Sequence, residues 1–162
     1  MSDQSSEEVS IENNVDEAGS KTAAVTPEEP SDAPPDYVLQ SLVDLINRSG
    51  LEMGITLTVA GFSISGTLVS GKNFFDGLAD EMATVFDEPS PKKAIHDYFA
   101  NFGDMYRDIA KDEDQTLPIY IHLKDARHFH NSGKPIPGNR GVYWRGRISQ
   151  ISGFSMGSLS AE

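Results

Sequence analysis

The residues with the clearest capacity for chemistry form one short run, Tyr143-Trp144-Arg145-Gly146-Arg147-Ile148. In an extended strand, Tyr143, Arg145 and Arg147 share one face, and Trp144 lies on the other. Two neighbouring guanidinium groups beside a tyrosine can bind carboxylates or stack on aromatic rings. We therefore predict an interaction surface at Tyr143, Trp144, Arg145 and Arg147. An ordinary solvated sheet face is the alternative.

Histidines are the only other residues with the spacing of a possible metal site. His128 and His130 would project from the same face of a strand, and His122 lies shortly before them. A zinc site needs at least three protein ligands, but the one remaining histidine, His96, lies in a predicted helix and the chain has no cysteine. We predict no metal, and a metal-dependent enzyme built on His128 and His130 is a weaker third hypothesis.

No catalytic motif stands in a suitable context. The run Gly153-Phe-Ser-Met-Gly157 matches the letters of a nucleophile elbow. Such an elbow needs a following helix and acid and histidine partners downstream, for which too little sequence remains. Phosphate-binding and dinucleotide-binding glycine patterns are absent from the sequence. We therefore predict a protein that is not an enzyme and needs no cofactor.

Charge is distributed unevenly along the 162 residues, whose formal net charge is −12. Residues 1–36 hold ten acidic residues and one lysine, whereas residues 117–162 hold two acidic and six basic residues. The first segment is poor in large apolar residues and rich in proline, so we predict a disordered acidic tail over 1–35. The tail could be attracted to the basic final third, or could simply confer solubility. The net charge argues against nucleic-acid binding.

Membrane and export signals are also missing from the sequence. No apolar run approaches the roughly 18 residues that a membrane span requires. The first eight residues are acidic and polar and lack the basic start and apolar core of a signal peptide. We expect a cytoplasmic protein without membrane contact.

Apolar spacing predicts the elements that position these residues. A helix should begin after an N-cap at Asp36 and end at Gly50, followed by a β-hairpin with a turn at Gly61 and a bulge or bend at Gly66. Two helices follow, over about 74–86 and 91–111, the second starting at Ser90-Pro91. The final third predicts two or three further strands, the last one after the run 153–157.

These elements predict one α+β domain over residues 36–162. It has an N-terminal helix, a helical insertion and an antiparallel sheet that can curl into a small Sm-like barrel.

Three segments in order resemble the gas vesicle protein U (GvpU) family: Ile64-Ser-Gly-Thr-Leu-Val-Ser70, Ile121-His-Leu-Lys-Asp-Ala-Arg127, and Trp144-Arg-Gly-Arg-Ile-Ser149 followed by Gly153-Phe154 and Gly157. The resemblance spans about Asp36 to Leu159. It implies a small non-enzymatic accessory protein that self-associates and clusters gas vesicles in the cytoplasm. Its partners would be the vesicle shell or other gas vesicle proteins. The contacts would be made by the Tyr143/Arg145/Arg147 face and the exposed parts of helix 91–111.

A weaker similarity, at the level of fold, is to Sm-like proteins. A helix, an Ile-x-Leu-x-Val strand, and a late Arg145-Gly146 are arranged as in that barrel, which implies a sheet that assembles through its strand edges. The runner-up function is therefore an Sm-like RNA-binding oligomer. The acidic chain and the presence of Asp76 near the other RNA-contacting position argue against it.

Overall fold

Three helices and six strands form the part of the chain that the structure describes. The structure is a computed structural model, and it describes residues 34–107, 116–130 and 134–159. The predicted disordered tail therefore lies, up to residue 33, outside the described residues. In chain order the elements are α1 (Tyr37–Ser49), β1 (Met53–Val59), β2 (Phe62–Leu68), α2 (Gly71–Ala83), α3 (Pro89–Asp104), β3 (Tyr120–Phe129), β4 (Pro135–Ile136), β5 (Val142–Arg147) and β6 (Ile151–Met156).

All six strands form one antiparallel sheet, in the order β4-β3-β2-β1-β6, with β5 paired to β3 on the same edge as β4. This confirms the predicted α+β class. Strands β5 and β6 lie at opposite edges, yet only one turn of 3-10 helix, Ile148–Gln150, joins them. The sheet must therefore curl strongly. Among the described strands β5 and β6 do not pair, so the curled sheet is not a closed barrel.

Helix α1 covers one face of the curled sheet. Asp36 caps it by accepting hydrogen bonds from the backbone N–H groups of Val38 and Leu39 at 2.8 and 3.1 Å, and Gly50 ends it with a φ of 67°. Both predicted helix ends are thus confirmed. The buried core joins one face of α1 to the inner side chains of the strands: Leu39, Val43, Ile46, Ile55, Leu57, Ile64, Leu68, Ile121, Leu123, Ala126 and Ile148.

The bulge or bend predicted at Gly66 is instead a bulge on the neighbouring strand. The register between β2 and β3 shifts at Asp125, whose φ is 52°, while Gly66 keeps regular pairing with β1. A Cβ at Gly66 would lie 2.9 Å from both the Ala126 Cα and the Lys124 carbonyl oxygen. Because Gly66 has no Cβ, the bulged backbone of β3 can lie close to it, while Gly66 itself stays regularly paired.

Helices α2 and α3 pack together and cover part of the opposite face of the sheet. Ser70 caps α2 by accepting a hydrogen bond from the Asn73 N–H at 3.1 Å. Helix α3 begins two residues earlier than predicted, with Glu88 as its N-cap and Pro89 in the first position. Both prolines are tolerated there because the first helical N–H groups have no intrahelical partner.

Two predicted boundaries in the rest of the chain differ from the structure. Helix α3 ends at Asp104, and residues 108–111 of the predicted helix lie outside the described residues. The last strand, β6, contains the run beginning at Gly153 rather than following it, because Phe154 packs against the core from within the strand.

Candidate docking surface

Strand β5 carries the predicted surface residues to the face of the sheet that α2 covers. Its register places Arg145 opposite His122 and Arg147 opposite Tyr120 on β3. Directly opposed residues in an antiparallel pair project from the same face. Tyr120 and His122 of β3 therefore lie on the same face as the two arginines, and we call these two rings the aromatic floor. We call Tyr120, Arg145 and Arg147 the arginine surface.

Two contacts fix the direction of Arg145. Its guanidinium carbon lies 3.4 Å from the centroid of the Tyr120 ring, a cation–π contact, and its Nε donates a hydrogen bond to His122 Nε2 at 3.2 Å. The outer part of Arg145 stays exposed. The side chain is therefore held at its base and leaves guanidinium N–H groups available to a partner.

His122 is fully buried beneath Arg145. Its ring is packed among Phe74, Phe75 and Tyr106, with ring centroids 4.8, 5.7 and 5.4 Å away. Burial, followed by the nearby Arg145 charge, lowers the pKa of His122 to about 3. The imidazole is thus neutral near pH 7, so it accepts from Arg145 without adding or cancelling charge. Within the described residues its Nδ1 has no hydrogen-bond partner.

Arg147 is exposed and borders a cavity of about 200 Å³ with Ile119, Tyr120 and Ser149. Two other basic residues of the final third are paired locally, Lys124 with Glu52 at 2.6 Å and Arg140 with Glu81 at 2.8 Å. Across the described ranges, neither Arg145 nor Arg147 has a carboxylate partner. Two exposed positive charges without a carboxylate partner among the described residues thus lie on one face of β5.

Tyr143 and Trp144 serve the packing of β5. The Tyr143 ring meets Phe74 edge-on at 5.5 Å, and a Cβ at Gly77 would lie 2.1 Å from its hydroxyl oxygen. Burial, followed by the Glu81 charge, raises the pKa of Tyr143. Trp144 packs against the core on the opposite face, with Gly146 beside its ring. Of the four predicted interaction residues, the structure thus places the two arginines outermost.

Helix α3 carries an exposed apolar stripe beside this region. Tyr98 and Phe102 on α3 and Met105 at its C-cap recur at helical spacing, with 58, 38 and 74% of their surfaces exposed. The Tyr98 and Phe102 rings are in edge contact at 5.4 Å. Only Gly103 of the whole helix is buried. Exposed apolar side chains grouped in this way are typical of a protein interaction site.

The predicted histidine cluster is divided between different environments. His122 faces the helices, His128 pairs with Ile64 of β2, and the His130 ring lies 5.8 Å from that of Phe62. His96 contacts Asp80 on α2 at 3.4 Å. In the described part of the chain, no three His, Cys, Asp or Glu side chains are grouped to hold a metal ion. Likewise, no helix that the structure describes is long and apolar enough to cross a membrane.

Sequence reasoning missed Tyr120 and His122 as the floor of the site. Their alternation with Ile119, Ile121 and Leu123 places them on one strand face, which was a usable signal. The strand that would pair with them, and its register, could not be read from the sequence because a bulge at Asp125 shifts the pairing.

The structure thus presents an α+β domain with two exposed arginines on β5 and an exposed apolar stripe along α3. The family model described as gas vesicle protein GvpU-like matches residues 36–159, so the chain belongs to the GvpU-like family. This confirms the resemblance seen in the sequence and associates the protein with gas vesicles. No curated protein and no solved structure gives a significant match.

Proposed function

We propose that this protein is a non-enzymatic gas vesicle accessory protein that self-associates and promotes vesicle clustering. It acts in the cytoplasm, where its partner is the vesicle shell or another gas vesicle protein. The observation that carries the proposal is the exposed arginine pair, Arg145 and Arg147, which lacks a carboxylate partner among the described residues of a GvpU-like chain.

The arginine surface and the apolar stripe of α3 have separate roles in this proposal. The arginine surface binds carboxylates on the vesicle partner, because a guanidinium group matches a carboxylate with two parallel hydrogen bonds. The apolar stripe of α3 contacts further copies of the chain, because its exposed rings and Met105 are removed from water on association. A molecule with both contacts links one vesicle to another. Clustering weakens as salt rises, since exposed charges are screened over about 10 Å at 0.1 M salt.

The test is flotation of the purified full chain with isolated gas vesicles, combined with size-exclusion light scattering of the protein alone. We expect the protein to float with the vesicles and to form larger assemblies as its concentration rises. A monodisperse protein that remains in the subnatant would overturn the proposal.

An Sm-like RNA-binding oligomer is the second candidate. It is favoured by the arginine stacked on Tyr120 at the edge of a curled sheet, since stacked aromatic and guanidinium groups also bind single-stranded bases. The net charge of −12 opposes it. Its signature is a ring-shaped oligomer that ignores vesicles and binds oligo-RNA with an affinity lost in Arg145→Ala.

A further inference from the structure

We infer that the acidic residues of segment 28–32 dock on the arginine surface of the same molecule and compete there with the partner. The contact itself follows from charge and from where the chain joins the fold. Its consequence, a brake on vesicle binding, rests on the proposed function.

The described chain begins beside the arginine surface. Pro34, Pro35 and Asp36 line one cavity together with residues 148–152. Ser149 belongs to that cavity and also to the one bordered by Arg147. Ser149 therefore lies between the cavity at the start of the described chain and the cavity that Arg147 borders.

Two hydrogen bonds hold this arrangement together. Gln40, in the first turn of α1, donates from Nε2 to the Pro118 carbonyl oxygen at 3.0 Å. The Ile148 N–H donates to the Ile119 carbonyl oxygen at 3.0 Å. The beginning of α1, the start of β3 and the end of β5 are therefore joined at one corner of the fold. A segment leaving Pro34 starts from this corner.

The segment before Pro34 has the complementary charge and the necessary reach. Residues 1–33 contain nine acidic residues and one lysine, and Glu28, Glu29 and Asp32 are the acidic residues nearest to Pro34. An extended chain spans about 3.3–3.6 Å per residue, so Glu28 can lie up to about 20 Å from Pro34. Three carboxylates within that radius match two arginines that lack a carboxylate partner among the described residues.

A contact within one molecule is favoured over capture of another copy. So short a connection holds the carboxylates at an effective concentration of about millimolar. Pro30, Pro34 and Pro35 restrict the backbone of the connection, which lowers the entropy lost on docking. The contact should thus form at protein concentrations too low for self-association.

The contact is tested by NMR of the full chain, observing the arginine Nε–Hε signals and the backbone amides of residues 145–149. The variant Glu28→Gln/Glu29→Gln/Asp32→Asn should shift these signals. The control Glu7→Gln/Glu8→Gln/Glu12→Gln removes the same number of charges far from Pro34 and should leave them in place. Both variants should give the same spectrum as the wild type in this region at 1 M salt, where exposed ion pairs are screened. Unchanged signals in the first variant would overturn the inference.

Dilution separates contact within a molecule from contact between copies. The wild-type signals should keep their positions across a dilution series in which light scattering reports a monomer. Signals that move toward those of the 28–32 variant on dilution would show that the segment binds a neighbouring copy instead, and would overturn the inference as stated.

Flotation then separates the inference from the proposed function. If the segment occupies the surface in half of the molecules, the 28–32 variant should bind vesicles about twofold more tightly. A spectral shift in a protein that never floats would keep the contact and remove the vesicle role. Arginine-dependent flotation without any spectral shift would keep the vesicle role and remove the contact.

Discussion

Arg145 is stacked on Tyr120, with its guanidinium carbon 3.4 Å from the ring centroid, across the pairing of β5 with β3. A hydrogen bond to the buried, neutral His122 holds the same side chain from below. Arg145 is therefore oriented before a partner arrives. A side chain that is already ordered loses less conformational entropy on binding, which favours affinity.

Removing the Tyr120 ring should weaken binding to vesicles even though both arginines remain. In Tyr120→Leu, Arg145 loses a cation–π contact of about 0.5–2 kcal/mol that orders it before binding, so vesicle affinity should fall, by at most about thirtyfold. Quantitative flotation measures the change. The control Tyr37→Leu alters a tyrosine on α1 that is 69% exposed, and it should bind like the wild type. Equal affinities for the two variants would remove Tyr120 from the account.

Stability should depend on pH through His122. Its pKa is about 3 in the folded chain and 6.5 when unfolded, so the unfolded chain binds more protons between these values. The contribution of His122 is complete above pH 6.5 and is lost as pH falls toward 3, by at most about 1.4 kcal/mol per pH unit. Urea unfolding at several pH values between 4 and 7 measures this change. The free energy of unfolding should rise less steeply with pH in His122→Phe than in the wild type. Parallel slopes would contradict this prediction.

The backbone approach at Gly66 should make it intolerant of a side chain. The added methyl of Gly66→Ala would meet the backbone of Ala126 and Lys124 at 2.9 Å, so we expect a loss of about 1–3 kcal/mol in the free energy of unfolding. At Gly153, nothing lies within 4 Å of an added Cβ. Gly153→Ala should therefore change stability by less than about 0.5 kcal/mol in the same denaturation experiment. A similar loss in both variants would argue against the close strand approach.

The apolar stripe of α3 should drive self-association. Tyr98→Ser/Met105→Ser removes two exposed apolar side chains, so light scattering should show smaller assemblies at a given protein concentration. Val85→Ser is the control, because Val85 is 70% exposed near the end of α2 and lies outside the stripe. If the control and the double variant assemble to the same extent, self-association uses another surface.

Local sequence patterns predicted most of the fold. Asp36 and Gly50 define α1 through capping chemistry that depends only on neighbouring backbone, and the hairpin of β1 and β2 follows from alternation around Gly61. The start of α3 was misplaced because Pro89 and Pro91 both suit a first turn, and local rules do not choose between them.

The candidate site was harder to predict because it depends on pairing between distant segments. Alternation on β5 placed Arg145 and Arg147 on one face, as the structure has them. The contacts of Arg145 with Tyr120 and His122 depend on the register between β3 and β5, which the bulge at Asp125 shifts. Such a register is set by core packing and has no signature in either strand alone.

The most direct test of the central claim is flotation with isolated gas vesicles of Arg145→Gln/Arg147→Gln, beside the charge-matched control Lys134→Gln/Arg140→Gln. Both variants lose two positive charges from the final third of the chain, so a general charge effect would be equal in the two. We predict that the first variant stays in the subnatant while the control floats and clusters vesicles like the wild type. Equal flotation of both variants would contradict a vesicle contact made by the arginine surface.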